Sequence, residues 1–366
     1  MSSSAIPTPF RVQRDDVDAL GQGVRVFGSG GGGDPDIACA SLVRRLTTCS
    51  GVDVIPPSAL PPGATAVPFG FVGATSLLSE RPPSGAELLD VWMGVETTPE
   101  ALIPMEIGGF NGVAAVWAAA ALDVPLVDAD LMGRALPELQ QLLPVAHGWT
   151  PCPATVVDVH GRQLRLDHMT PSMLEAIVRA VLTPMGGWAV FVCQPLTAEM
   201  IINACHPGSV SRAVALGRDV HRLQDGAALD EVTELEGTVL GEGRIVEITR
   251  GAPRAGRRMP VTTVVVDLSA PPGGTLRLEA ESEWLAVIVD GEPVATVPEL
   301  LLVWDVDSRE VLAVETVRHG RNVRVTALPG AAGWWQPGAL RYVEPAAFAL
   351  DVPARRTAVP VEHPEA

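Results

Sequence analysis

The chain has no lysine: all 26 of its basic residues are arginines. A Schiff base, a P-loop amine, a Ser-Lys nucleophile pair and kinase-type phosphate pairing each need an ε-amine, so these mechanisms are closed to it. A composition rich in Ala, Gly, Pro and Arg without Lys is also what a high-GC bacterial genome produces, and the exclusion holds whatever the cause. Positive charge is scarce altogether, because 43 acidic side chains leave a formal net charge of -17. Such a surface repels phosphate backbones and anionic bilayers, so the expected partner is a small molecule and not nucleic acid or membrane.

Cysteine pairing is also missing. Cys39, Cys49, Cys152, Cys193 and Cys205 form no C-x-x-C, and an odd number in a chain of this length gives no disulfide framework. His147, His160 and His168 lack metal-ligand spacing, and Cys205-His206 is read as a structural pair. No apolar run is long enough to cross a bilayer: Val113 to Leu122 is stopped by Asp123 and Pro125 and reads as a buried helix. The N-terminus turns acidic before any apolar stretch, so no secretory signal is expected and a cytoplasmic location is.

What is present is enough apolar residue, 47% against 19% charged, for a sizeable core, and 366 residues imply two domains. An α/β domain with Gly-rich strand-helix turns is expected over residues 1–168. A mostly-β domain with one or two helices follows over 169–352, then a loose Pro-rich tail over 353–366. In the first domain, Gly23 to Phe27 (GVRVF) reads as a strand entering the loop Gly30 to Gly33, with Asp34 as N-cap and Pro35 opening a helix to about Leu46. A strand is expected near Ala66 to Phe69, an Ala-rich helix after the turn EIGGFN, and a buried strand from Pro125 to Val127. Thr170 before Pro171 caps a further helix. Alternating runs such as VTTVVVDL, LAVIVD and NVRVTAL make the region from Val232 to Leu328 β-rich.

Two glycine turns and one acidic strand end carry the candidate chemistry. Gly31, Gly32 and Gly33 before a capped helix place backbone N–H groups and Asp34 together, an arrangement suited to an anion or to close approach by a ligand. Glu106, Gly108, Gly109, Phe110 and Asn111 repeat that logic with a carboxylate and an amide. Asp128 and Asp130 are two apart, so on extended backbone both carboxylates leave the same face. The pair suits a general base or a divalent metal, and hydrogen bonding to nearby turns accounts for it equally. Arg134 and Glu138 are spaced for an ordinary helix-face ion pair, or Arg134 orients a substrate carboxylate with its planar fork.

The phrases GSGGGGDP, EIGGFNG, VPLVDADLMGRALPELQ and HPGSVSRAVALGR, with DGEPVATVPELLLVWDVDSREVLAVETVRHGRNVRV, resemble the S-methyl thiohydantoin desulfurase-like family from about Asp15 to Asp351. The resemblance implies an α/β domain followed by a β-rich one. It also implies hydrolysis of an S-alkyl thiohydantoin to a hydantoin with loss of a thiol, or related chemistry on a cyclic amide-like ring. On that reading Asp128 or Asp130 is the base, Glu106 a second carboxylate, Gly31 to Gly33 and Asn111 the donors, and Arg134 the orienting cation, with no cofactor required. Two alternatives stand beside it: a relative repurposed for biosynthesis (cyclase, lyase or thiol transfer), and a non-catalytic subunit of a hydantoinase or oxoprolinase-type assembly. Homo-oligomers are compatible with all three. Two departures from the family pattern bear on substrate: Phe110 replaces a third glycine, and EAESEWLA around Glu281 to Ala286 replaces an F-Q-N-E element.

Overall fold

The computed structural model describes residues 9–93, 99–227, 232, 235, 237–270 and 273–357. Its first body is built on a mixed sheet. Along the main path the order is β1 (Phe10–Val12), β2 (Val52–Ile55), β5 (Leu126–Val127), β4 (Ala101–Pro104), β3 (Thr65–Gly73), β9 (Trp188–Cys193), β7 (Ala154–Asp158) and β8 (Gln163–Leu166), with β10 (Leu196–Thr197) also paired to β3. Strands β2, β5, β4 and β3 are parallel, and the flanks are antiparallel. The central strands β3, β4 and β9 are buried almost without alternation, as expected of strands covered on both faces.

Helices α1 (Val17–Gly28), α2 (Asp36–Arg45), α5 (Phe110–Leu122) and α9 (Ser209–Gln224) form one covering layer. The other face carries α7 (Pro171–Leu182) and α8 (Ala198–Ala204). Helices α3 (Thr75–Glu80), α4 (Glu87–Asp90) and α6 (Leu143–Ala146) are short connectors. Thr170 caps α7 by accepting from the Met173 N–H, as its sequence predicts. Although β9, α7 and α9 follow residue 169, all three pack on the first sheet.

One expected element is corrected. GVRVF is not a strand but the last part of α1, whose buried residues Val17, Leu20, Val24 and Phe27 follow helical spacing. The helix crosses α9 at backbone contact distance. A Cβ on Gly23 would lie 1.6 Å from the Ala213 carbonyl oxygen, and one on Gly217 would lie 1.6 Å from that of Ala19. The glycine that looked like a strand start is there for this crossing. Asp34 is also displaced by one step: Pro35 occupies the N-cap of α2, and Asp34 accepts from the Asp36 N–H instead.

The second body is an antiparallel sheet in the order β16 (Glu292–Thr296), β15 (Trp284–Val289), β14 (Thr275–Ala280), β13 (Val261–Leu268), β12 (Thr238–Gly251), β18 (Asn322–Leu328) and β17 (Leu300–Asp305). Strand β13 alternates, with Thr262, Val264 and Val266 buried, whereas β17 is buried throughout. The reason lies in its neighbours. Leu301 and Val303 face the second body's own core, while Leu300, Leu302 and Trp304 enter the core of the first. The tail expectation is corrected for 353–357: the Arg355 N–H donates to Thr296 Oγ1 and the Thr357 N–H to Glu299 Oε2, which pins the segment. The remainder of the tail lies outside the described residues.

Candidate functional site

A short two-strand ladder, β6 (Ala129–Asp130) with β11 (His206–Pro207), carries the chain away from the first sheet right after Val127. Backbone alternation is therefore interrupted at Asp128, and the two aspartates do not share a free face. Asp128 Oδ1 accepts from the N–H groups of Val210 and Ser211, and its Oδ2 accepts from the Ser211 hydroxyl at 2.7 Å, so it caps α9 from outside that helix. Asp130 Oδ2 accepts from Ile107, Met132 and Gly133. Neither carboxylate reaches the wall of the main cavity. No group of three or more His, Cys, Asp or Glu among the described residues is arranged to hold a metal ion, so the metal alternative at this pair finds no donor set.

That cavity, about 650 Å³, lies between the two bodies. Its size is within the range of small-molecule sites. Of the residues expected to form a site, Gly31, Gly32, Gly33, Asp34, Glu106, Asn111 and Glu138 line it. Gly108, Gly109, Phe110, Asp128, Asp130 and Arg134 do not. Gly109 has φ +64°, and the carbonyl carbon of Gly32 lies 2.3 Å from where its Cβ would be, so this turn serves close packing of one glycine loop on the other. Phe110 is buried and meets Phe71, a wall residue, edge to face with ring centroids 5.0 Å apart. It supports the pocket from behind.

Arg134 is the clearest displacement. Residues 131–138 are not helical, and its guanidinium, 1% exposed, donates to the backbone carbonyls of Glu299 at 2.5 Å and Trp284 at 3.0 Å. It therefore joins the two bodies, and burial holds it down to about 10. Glu138 pairs instead with Arg257 at 2.6 Å, and Arg257 also holds Glu281 at 2.8 Å.

Two buried carboxyls line the cavity without an arginine contact among the described residues. Glu106, 8% exposed, accepts from Asn111 Nδ2 at 2.6 Å and from the Leu136 N–H at 3.3 Å. Burial pushes it up to about 8, the charges of Glu283 and Asp130 adding to that, while the two hydrogen bonds oppose it. Glu283, from the opposite body, accepts from the Ser282 hydroxyl at 2.6 Å. Burial raises it as well, and Arg134 and Arg179 pull it back toward ionisation. A Cβ on Gly31 would lie 2.7 Å from Glu283 Oε1, so this glycine admits the carboxyl to the cavity. The Gly31 N–H is spent on Gly28, whereas those of Gly32 and Gly33 have no acceptor among the described residues. Both amide hydrogens of Asn111 are committed, to Glu106 and to the Phe71 carbonyl.

Sequence reasoning missed Glu283. It stands in the stretch that departs from the family pattern, and the spacing Glu279, Glu281, Glu283 at a strand end is the same kind of signal that drew attention to Asp128 and Asp130.

A helix-covered mixed sheet joined to an antiparallel sheet, with a carboxyl-lined cavity between them, defines a two-domain α/β-plus-β protein. The chain belongs to the S-Me-THD-like family, its residues 15–168 matching the family's N-terminal domain and 169–357 the C-terminal one. A protein from Chromobacterium violaceum, known from an X-ray crystal structure, has the same fold. The TM-score is 0.78 over 96% of this chain and 100% of that one, at 23% identity. No curated protein matches the chain. No helix among the described residues is long and apolar enough to cross a membrane.

Proposed function

We propose that the cavity hydrolyses an S-alkyl thiohydantoin, or a hydantoin-like cyclic amide, by water attack at a ring carbon. What supports this reading is one carboxyl from each body, Glu106 and Glu283, facing the same space in different electrostatic surroundings. Buried carboxyls in one site share protons as a pair, and the member nearer positive charge ionises first. Here that member is Glu283, under Arg134 and Arg179, so Glu106 keeps the proton.

Ionised Glu283 takes a proton from water as its oxygen bonds to the ring carbon, and Glu106 gives its proton to the ring nitrogen. The tetrahedral carbon then returns its hydroxyl proton to Glu106 as the carbonyl forms. The C–S bond breaks, and the departing sulfur takes the proton held by Glu283, leaving hydantoin, thiol and both carboxyls as they began. The N–H groups of Gly32 and Gly33, unpaired among the described residues, supply donors for a ring carbonyl. A cavity of about 650 Å³ holds the five-membered ring together with a substituent.

Incubation with S-methyl thiohydantoins in ¹⁸O-water, followed by mass spectrometry, tests the reading. Hydantoin carrying one ¹⁸O is expected, and Glu106→Gln and Glu283→Gln should each slow turnover by about 10²-fold or more. Absence of labelled hydantoin across a set of ring substituents, or full activity in both variants, rejects it.

A further inference from the structure

Asp130 is fully buried behind the cavity wall, and its two oxygens have different surroundings. Oδ2 accepts three backbone N–H groups, from Ile107 at 3.1 Å, Met132 at 3.1 Å and Gly133 at 2.7 Å. The first of these belongs to the residue that follows Glu106. Oδ1 has no hydrogen-bond partner among the described residues, and neither do His206 Nε2 and Ser209 Oγ. His206 is the direct cross-strand partner of Asp130 in the β6–β11 ladder, and its ring is enclosed by Gly133, Gly333 and Trp334. The Ser209 hydroxyl acts on the Asp130 carboxyl without meeting hydrogen-bond geometry.

This arrangement costs stability that a turn cap need not cost. An asparagine at 130 would offer the same three N–H groups one oxygen and present its amide hydrogens to the Ser209 hydroxyl, which is left unpaired. Burying a carboxyl with one bare oxygen is the worse solution for folding alone. What the carboxyl has and the amide lacks is charge, next to Glu106.

We propose that Asp130 is a positioning residue for Glu106, fixing the Glu106–Ile107 backbone through one oxygen and holding the proton on Glu106 through its negative charge. The inference rests on the reading of Glu106 as proton donor in the cavity. The groups acting on Glu106 are Glu283 across the cavity, Asp130 behind it, and the donors Asn111 and Leu136. Those around Asp130 are the N–H groups of Ile107, Met132 and Gly133, with Cys205, His206 and Ser209 from α8 through the start of α9. No arginine is among either set. Burial raises Asp130 to about 7, so its charge is in place where Glu106, at about 8, begins to lose its proton.

The test is the pH profile of kcat/KM for wild type, Asp130→Asn and Glu106→Gln. Asp130→Asn is expected to stay within about threefold of wild type at pH 6, where Glu106 is protonated in both proteins. Its alkaline limb should move down by about one unit, a loss near tenfold above pH 8. A profile that overlays wild type shows Asp130 to be a turn cap only and overturns the proposal. If Glu106→Gln is fully active, it is the reading of the site that fails. Carboxyl infrared titration of Asp130→Asn reads the same coupling without turnover: the protonated Glu106 band should titrate lower than in wild type, and an unmoved midpoint also overturns the proposal.

Discussion

Asn111 Nδ2 donates to Glu106 Oε1 at 2.6 Å while the same side chain makes both backbone hydrogen bonds of Phe71, accepting from its N–H at 2.6 Å and donating to its carbonyl at 3.0 Å. The Phe71 backbone fixes which way the amide points, so Asn111 always presents a donor to Glu106. A carboxyl held this way keeps one orientation toward the cavity.

Asn111→Leu removes that donor at similar volume. The hydrogen bond opposes the rise of Glu106, so its loss should move the alkaline limb of activity upward, opposite in sign to the Asp130→Asn shift. Leaving the Phe71 N–H and carbonyl unpaired should cost about 3 kcal/mol in urea denaturation. An unmoved limb would separate Glu106 from the titration that controls the rate.

Stability should fall as pH rises. Glu106 and Asp130 go from 4.5 and 3.8 up to about 8 and about 7, so the folded chain binds their protons more tightly than the unfolded one. Their contribution is complete below the ordinary values and is lost as pH climbs through the folded ones. His206 works in the other direction: burial lowers it from 6.5 to about 3, so its contribution is present above 6.5 and lost in acid. The thermal midpoint should therefore drop between pH 6 and 9, and Glu106→Gln should flatten that slope. An equally steep slope in the variant would assign it to other groups.

Arg257 joins Glu138 of the first body to Glu281 of the second, with its guanidinium over the Phe348 ring at 5.0 Å. Arg257→Ala leaves the buried Glu281 carboxylate without this partner and should destabilise by about 3 kcal/mol. Arg165, paired with Asp167 on an exposed edge, is the control, and Arg165→Ala should cost less than about 1 kcal/mol. Equal effects from the two would refute the assignment of Arg257 as a joint between the bodies.

Gly31→Ala and Gly109→Ala should fail differently. Gly31 has ordinary backbone angles, but its new methyl would meet Glu283 Cγ and the Ser282 carbonyl oxygen, each at 2.6 Å. The protein should fold with Glu283 displaced and turnover lowered by at least about tenfold, since misplacement by an ångström is costly at a reacting group. At Gly109 positive φ and backbone overlap combine, so soluble yield should collapse. Full activity in a folded Gly31→Ala protein would remove Glu283 from the reaction.

By itself the sequence determined the two-part architecture, through the change from helical to alternating periodicity, and it placed Gly31 to Gly33, Glu106, Asn111 and Glu138, which do line one cavity. Those signals are local: a turn, a cap or an alternating run is written within a few neighbouring residues. The helical identity of Gly23 to Phe27 was obscured because five alternating residues fit a strand, and only contact with α9 gives Gly23 its purpose. Asp128 and Asp130 share a face only on a continuous strand, and the departure of the chain to pair with β11 broke that condition. Tertiary structure alone decided that Arg134 is spent on the joint between the bodies and that Glu283 faces Glu106's cavity. The cavity wall joins segments that the chain keeps far apart, and their charges set one another's protonation only after burial has removed water from between them.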